Sequence, residues 1–240
     1  METLMFVRNA VFGLLALSLA AGCSSSPAPD AGSGQPAPAP SATAAPQPTP
    51  AARPRIVFLG DSLTAGLGLP QSQAFPSLIG EKMRDEGFQA EVVNAGISGD
   101  TAAGGRRRLE WALDGDVRVL VVALGANDGL RGNPVSAMKA DLEAIVRAAK
   151  ARGITVLLLG MEAPPNFGPE YTVEFRKAFR DLADQEDVKL VPFFLDGVAG
   201  VPALNQSDGL HPNSQGAARI AGAVWDALEP LADSRLPRSR

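Results

Sequence analysis

Residues 55–70 read RIVFLGDSLTAGLGLP. Ile56 to Leu59 is a short apolar run rich in β-branched residues, the pattern of a strand buried on both faces. The run breaks at Gly60-Asp61-Ser62, and the glycines that follow at 66 and 68 allow the chain to turn sharply. A serine at this point stands at the carboxyl end of a central strand, where open α/β sheets place their ligand sites. The same residues also make an ordinary Ser/Asp turn cap, so the stretch acquires a chemical reading only jointly with others.

Three familiar turns are excluded by spacing. A phosphate-binding P-loop requires Lys after its last glycine, and Leu67 follows Gly66. The dinucleotide fingerprint requires a glycine where Gln71 stands, and the nucleophile elbow G-x-S-x-G requires one where Thr64 stands.

With 240 residues, 45% of them hydrophobic, the chain has the makings of one globular domain plus appendages. The formal net charge is −4. The only basic block, Arg106-Arg107-Arg108, lies in a candidate helix and reads as a solvated face, so nucleic acid is not an expected partner. No repeat of 20 to 50 residues is present.

Met1 to Cys23 reads as an export signal. Arg8 supplies a thin positive region, and Ala10 to Ala21 an apolar run too short to span a bilayer. It ends in Leu19-Ala20-Ala21-Gly22-Cys23, which resembles a bacterial lipobox with Ala20 where Leu is more usual. Cys23 is the single cysteine of the chain, so an internal disulfide is impossible and lipid attachment is the expected role; an ordinary cleaved signal is the alternative. Residues 24–54 are rich in Pro, Ala and Ser and nearly free of charge, a composition that cannot bury enough surface to fold and reads as a tether. Ser24, rather than Asp, follows the cysteine, which points to the outer membrane of the cell envelope as the expected location.

From Arg55 to Leu231, strand-like and helix-like segments alternate, leaving residues 232–240 as a C-terminal tail. The predicted strands are 56–59, 91–94, 117–124, 154–159 and 189–192; the predicted helices are 75–86, 101–113, 134–152, 172–185 and 214–228. Gly87 and Gly153 stand just past two helices, where left-handed caps belong. Alternating βα units with apolar strands predict a doubly wound five-stranded parallel sheet with helices on both faces, in the order 2-1-3-4-5 by analogy with other such sheets.

In that fold the loops at the carboxyl ends of the strands meet at one edge. They carry Gly60-Asp61-Ser62-Leu63, then residues 94–101 (NAGISGDT), then Gly125-Ala126-Asn127-Asp128, and finally Asp208-Gly209-Leu210-His211. Acyl transfer needs a nucleophile, a base, an orienter for the base and donors for an oxyanion. Ser62 is the candidate nucleophile. His211, the only histidine, is the candidate base, and Asp208 three residues earlier can bond its far nitrogen. The backbone N–H groups of Ser62 and Gly99 and the side-chain amide of Asn127 are the candidate oxyanion donors. Singly, Gly99 and Asn127 are also plain turn residues; the four roles met together argue for chemistry. One histidine rules out a His-rich metal cluster.

These four blocks, in this order, resemble those of the SGNH (GDSL-type) hydrolases, and the resemblance covers residues 55–230. SGDT at 98–101, LGANDGLRG at 124–132 and PFF at 192–194 bring it nearest to the bacterial acyl-CoA thioesterase I, lysophospholipase L1 and arylesterase group. The resemblance implies a flavodoxin-like three-layer fold and a serine esterase or thioesterase. It would act through an acyl-enzyme, need no cofactor or metal, and act as a monomer on small acyl esters. A carbohydrate acetylesterase and a non-catalytic tethered binding lipoprotein are the alternatives. Residues 161–171 (MEAPPNFGPEY), with Phe167 and Tyr171, are expected to flank an acyl groove, or else to form a plain surface crossover. Leu67, Leu69 and Pro70 are expected to form its second wall.

Overall fold

A computed structural model describes residues 53–239, so the expected signal, Cys23 and the tether through Ala52 lie outside the described residues. Strands β1 (Arg55–Gly60), β2 (Glu91–Gly96), β3 (Val117–Ala123), β4 (Thr155–Leu159) and β5 (Lys189–Val191) form one sheet in the order β2-β1-β3-β4-β5. Every pairing is parallel, as the alternation predicts, and the order is the one expected by analogy with other doubly wound sheets. The central strands are apolar beyond Arg55 and Arg118 near their amino ends, because both faces are covered there. Ile56 to Leu59 and Val119 to Val122 are almost completely buried.

Helices α2 (Phe75–Asp85) and α8 (Ser214–Arg235) pack together over one face; α3 (Ala102–Arg107), α6 (Val135–Ala151) and α7 (Gly168–Glu186) pack together over the other. In α6 the buried residues are Val135, Met138, Leu142, Ile145, Val146 and Ala149, a stripe at three- and four-residue spacing that fits one face of a helix. Along α7, Tyr171, Phe175 and Phe179 meet at four-residue intervals, the first pair stacked and the second edge to face, with ring centroids 6.0 and 5.5 Å apart. Gly87 and Gly153 take φ of 84° and 73°, as helix-terminating glycines should.

The register sets up the site. Gly60 at the end of β1 lies level with Gly96 of β2 and Ala123 of β3, so the loops that leave these strands start side by side. A short helix, α1 (Ser62–Ala65), folds directly back over these ends. It can do so because two strand-end residues lack a side chain. A Cβ on Gly60 would stand 1.9 Å from Thr64 Oγ1, and one on Gly96 would stand 2.3 Å from the Ala65 nitrogen.

The helix predicted over 101–113 is two pieces, α3 and α4 (Leu109–Ala112), interrupted at Arg108. The third polar block, residues 125–128, also opens a helix, α5 (Ala126–Arg131), where only a polar loop was expected. The last helix continues seven residues past its predicted end at Leu228 to Arg235, carrying Pro230 within it. Burial of Leu228 and Ala232 on either side of that proline holds the helix together across the missing N–H. Beyond it the chain does not trail away. Gln89 donates to the Pro237 carbonyl at 2.8 Å, and the Arg238 guanidinium lies 4.4 Å from the centre of the Phe88 ring. No helix among the described residues is long and apolar enough to cross a membrane.

Candidate active site

Asp61 ends the turn out of β1 and caps α1, its carboxylate accepting the Leu63 N–H at 3.0 Å. This places Ser62 as the first helical residue, and Gly66 closes the turn with a left-handed φ of 74°. The Ser62 side chain points across the sheet edge to the loop before α8. There its Oγ lies 2.9 Å from His211 Nε2.

The His211 loop is braced from several sides. Asp208 Oδ1 accepts the N–H groups of Leu210 and His211 at 2.9 and 3.0 Å, and Asp208 Oδ2 lies 2.7 Å from His211 Nδ1. An ionised carboxylate only accepts, so the ring proton sits on Nδ1 and Nε2 is left free to accept from Ser62. The His211 N–H first, then the imidazole and the Leu210 N–H, hold the Asp208 carboxyl down at about 2. Asp208 is therefore an anion beside the ring at neutral pH. Gln206 ties this loop to the one after Ser62, its side chain donating to the carbonyls of Pro212 at 2.9 Å and Leu67 at 2.7 Å.

Gly99 and Asn127 stand at the same edge, as expected. Gly99 has a φ of 83°, and a Cβ there would meet nothing nearer than an Arg131 nitrogen at 3.7 Å. The left-handed backbone, rather than crowding, is what calls for glycine here. Among the described residues, the N–H groups of Ser62 and Gly99 have no acceptor. The Asn127 amide donates to the Asp100 carbonyl at 3.0 Å and, over a longer 3.3 Å, to Asp61 Oδ2. Its neighbour Asp128 is buried and accepts the Ala102 N–H at 2.9 Å, which fastens α5 to the start of α3.

Two residues matter more than their sequence context indicated. Asp61 is 1% exposed, and burial pushes its carboxyl up to about 6 against the opposing pull of the Leu63 N–H, the Asn127 amide and His211. Arg108, expected on a solvated face, instead turns inward beneath the site, whereas Arg106 and Arg107 are exposed. Nothing in the spacing of Arg108 from its partners marks this beforehand, because those partners sit on three different loops and strands.

Beside Ser62 opens a cavity of about 310 Å³, lined by Leu63, Leu130, Met161, Pro164, Phe193 and His211 among others. The first part of the 161–171 loop thus flanks the groove as expected. Phe167 and Tyr171 do not: Phe167 packs over Gly132, and the Tyr171 hydroxyl donates to the Asn133 carbonyl at 2.8 Å. The expected second wall is also elsewhere. Leu67 and Leu69 line a separate crevice of about 10 Å³ on the other side of Ser62, too tight for an acyl chain, and the opposite wall of the groove comes from Phe193 and Leu195. A larger depression of about 670 Å³, around Arg55, Arg84 and Glu91, contains none of Ser62, Asp208 and His211.

The family model for the GDSL-like lipase/acylhydrolase family matches residues 58–219. The chain is 44% identical to Esterase TesA of Pseudomonas aeruginosa over 182 residues, 75% of this chain and 90% of that protein. It is 38% identical to Thioesterase 1/protease 1/lysophospholipase L1 of Escherichia coli K12, again over 182 residues, 75% of this chain and 86% of the other. A crystal structure of TesA matches with a TM-score of 0.71 at 43% identity, covering 75% of this chain and 99% of that one. With its four polar blocks gathered on the loops at one edge of the sheet, the chain belongs to the GDSL-like lipase/acylhydrolase family.

Proposed function

We propose that this protein is a serine hydrolase of acyl esters and thioesters, with Ser62 as nucleophile, His211 as general base and acid, and Asp208 as orienter. The observation that carries this reading is the relay of 2.9 Å from Ser62 Oγ to His211 Nε2 and 2.7 Å from His211 Nδ1 to Asp208. Ser62 Oγ attacks the acyl carbon as Nε2 takes its proton. The resulting oxyanion meets the N–H groups of Ser62 and Gly99 and the Asn127 amide. Collapse of that intermediate passes the proton from Nε2 to the leaving alcohol or thiol and leaves an acyl-serine. Water, deprotonated by the same nitrogen, then frees the acid and restores the serine. No step calls for a metal or cofactor.

The apolar groove supports acyl chains longer than acetyl. Each methylene buried there contributes about 0.8 kcal/mol, so kcat/KM rises several-fold with each of the first few. Relatives named as an esterase, as an arylesterase and as a thioesterase and lysophospholipase support aryl ester, thioester and lysophospholipid substrates. The test is p-nitrophenyl acetate, butyrate, hexanoate and octanoate and the matching acyl-CoA thioesters measured side by side, with a fluorophosphonate probe to label Ser62. Acetate as the best substrate would hand the site to an acetylesterase. Absence of labelling and turnover together would leave a binding protein.

Cell-envelope location through a lipid on Cys23, with residues 24–54 as tether, is a second part of the proposal, supported by the sequence around that cysteine. Fractionation of Cys23→Ala tests it; unchanged membrane association would rule the anchor out. All groups of the relay come from one chain, which supports a monomer as the working unit, and sizing by light scattering checks it.

A further inference from the structure

We propose that Arg108 is the positioning residue of the oxyanion site, setting the rate of the chemical step without touching substrate. The inference rests on the serine-hydrolase reading above and goes on to identify what holds its donors in place. The Arg108 side chain lies in the gap between α3 and α4 and is 14% exposed. Its three nitrogens reach three separate segments. Nε donates to Asp100 Oδ2 at 2.6 Å, Nη1 to the Ala95 carbonyl at 2.7 Å, and Nη2 to the Gly60 carbonyl at 2.8 Å.

Each of those acceptors lies on a segment that leads to an oxyanion donor. The Gly60 carbonyl belongs to the peptide that leads through Asp61 into Ser62, and it also accepts the Ile97 N–H at 3.0 Å. Asp100 directly follows Gly99, and its backbone carbonyl accepts the Asn127 amide at 3.0 Å. Ala95 is the next-to-last residue of the strand from which the Gly99 loop departs. One planar guanidinium therefore fixes the Ser62 turn, the Gly99 loop and, through Asp100, the Asn127 side chain relative to one another.

The loop needs such a clamp. Gly99, with its left-handed φ of 83°, sits in the middle of the loop between β2 and α3 and gives its backbone extra freedom, whereas a productive site holds its donors to within about 0.5 Å. Gly104 is itself part of the clamp, since a Cβ there would stand 1.9 Å from Asp100 Oδ1 and push the carboxylate off its partner. Arginine suits the task because its fork is rigid and always charged, while the compact ammonium of lysine cannot span three acceptors.

The test is steady-state kinetics on a butyryl ester for Arg108→Lys, Arg108→Gln, Asn127→Ala and the double variant Arg108→Gln/Asn127→Ala. Affinity for an arylboronic acid, which forms a tetrahedral adduct on serine, is measured alongside. Expected for both Arg108 variants is a fall in kcat of about 10- to 100-fold with KM nearly unchanged, as misplacement of donors produces, and a matching loss of boronate affinity. The double variant should be slower than either single variant but by less than the product of the two losses, because Asn127 is one of the three donors that Arg108 holds. A kcat like wild type, a loss confined to KM, or full multiplication of the two losses would overturn the inference. Should the Arg108 variants fail to fold, Asp100→Asn decides: it keeps the shape, weakens the clamp and should lower kcat about 3- to 10-fold, and an unchanged kcat counts against the proposal. Arg107→Gln, on the exposed neighbour, should change nothing. Wild-type enzyme that turns over without fluorophosphonate labelling of Ser62 would sink the serine-hydrolase reading instead, so the two failures are distinguishable.

Discussion

The Asp61 carboxylate lies 3.3 Å behind the Asn127 amide and is shut away from water. Desolvation raises its folded-state pKa from 3.8 to about 6, so the folded chain keeps this proton over a range in which the unfolded chain has lost it. Below pH 3.8 both states are protonated. From there up to about 6 only the unfolded state has ionised, stability falls as pH rises, and above that range the loss is complete. The shift corresponds to about 3 kcal/mol at most. Asp61→Asn keeps the shape and the N-cap, so it should be more stable than wild type at pH 7.5, with the difference vanishing near pH 4. Urea unfolding of both proteins at pH 4, 5, 6 and 7.5 measures this. Two curves that stay parallel across the series would show that the carboxylate is not desolvated.

Asn127→Ala should lower kcat by about 10²- to 10³-fold with little change in KM, the usual consequence of losing one oxyanion donor. The amide's better bond, to the Asp100 carbonyl, orients it; the longer one to Asp61 is weak enough to yield to a developing negative charge. If KM rises while kcat holds, the amide binds ground-state substrate and the assignment is wrong.

Ser62→Ala and His211→Ala should each remove nearly all turnover, leaving a residue above the uncatalysed rate from binding and the oxyanion donors. Asp208 gives a sharper test. Its Oδ1 accepts two backbone N–H groups, so in Asp208→Asn the amide oxygen stays there and the NH₂ faces the imidazole. That forces the ring proton onto Nε2, where it can no longer take the serine's proton. Asp208→Asn should therefore lose about 10³- to 10⁴-fold in kcat and be slower than Asp208→Ala, in which water can bond Nδ1–H. An asparagine variant faster than the alanine variant would contradict the tautomer assignment.

Much of this arrangement is legible in the sequence for a simple reason. Strands buried on both faces show as unbroken apolar runs, and the polar, glycine-bearing breaks between them have to be the loops at the sheet's edges. Ser62, Gly99, Asn127, Asp208 and His211 all fall in such breaks, and all meet at the carboxyl edge. What local pattern does not encode is partnership at a distance. Arg108 sits in a helical-looking run beside two exposed arginines, and only the fold turns it toward Gly60 and Asp100. Phe167 and Tyr171 look like groove aromatics because proline and glycine surround them. In the fold, α7 begins at Gly168, and the Tyr171 ring continues the row of Phe175 and Phe179. The short α5 is disguised in the same way, its ANDGLR sequence reading as a turn.

The side of Ser62 that receives the acyl chain can be settled by two substitutions. The cavity of about 310 Å³ runs past Phe193, whereas Leu67 borders only the narrow crevice on the far side. Phe193 is half-buried against the core, so trimming it widens the groove without opening the protein's centre. Phe193→Ala should leave p-nitrophenyl acetate hydrolysis almost unchanged, because acetyl does not reach that wall. It should cut the gain per added methylene from roughly four-fold, the equivalent of about 0.8 kcal/mol, to below about two-fold between butyrate and octanoate. Leu67→Ala should keep the wild-type slope of kcat/KM against chain length. The reverse pattern, a flattened slope for Leu67→Ala and a normal one for Phe193→Ala, would mean that the chain enters through the crevice and that the groove at Phe193 holds the leaving group.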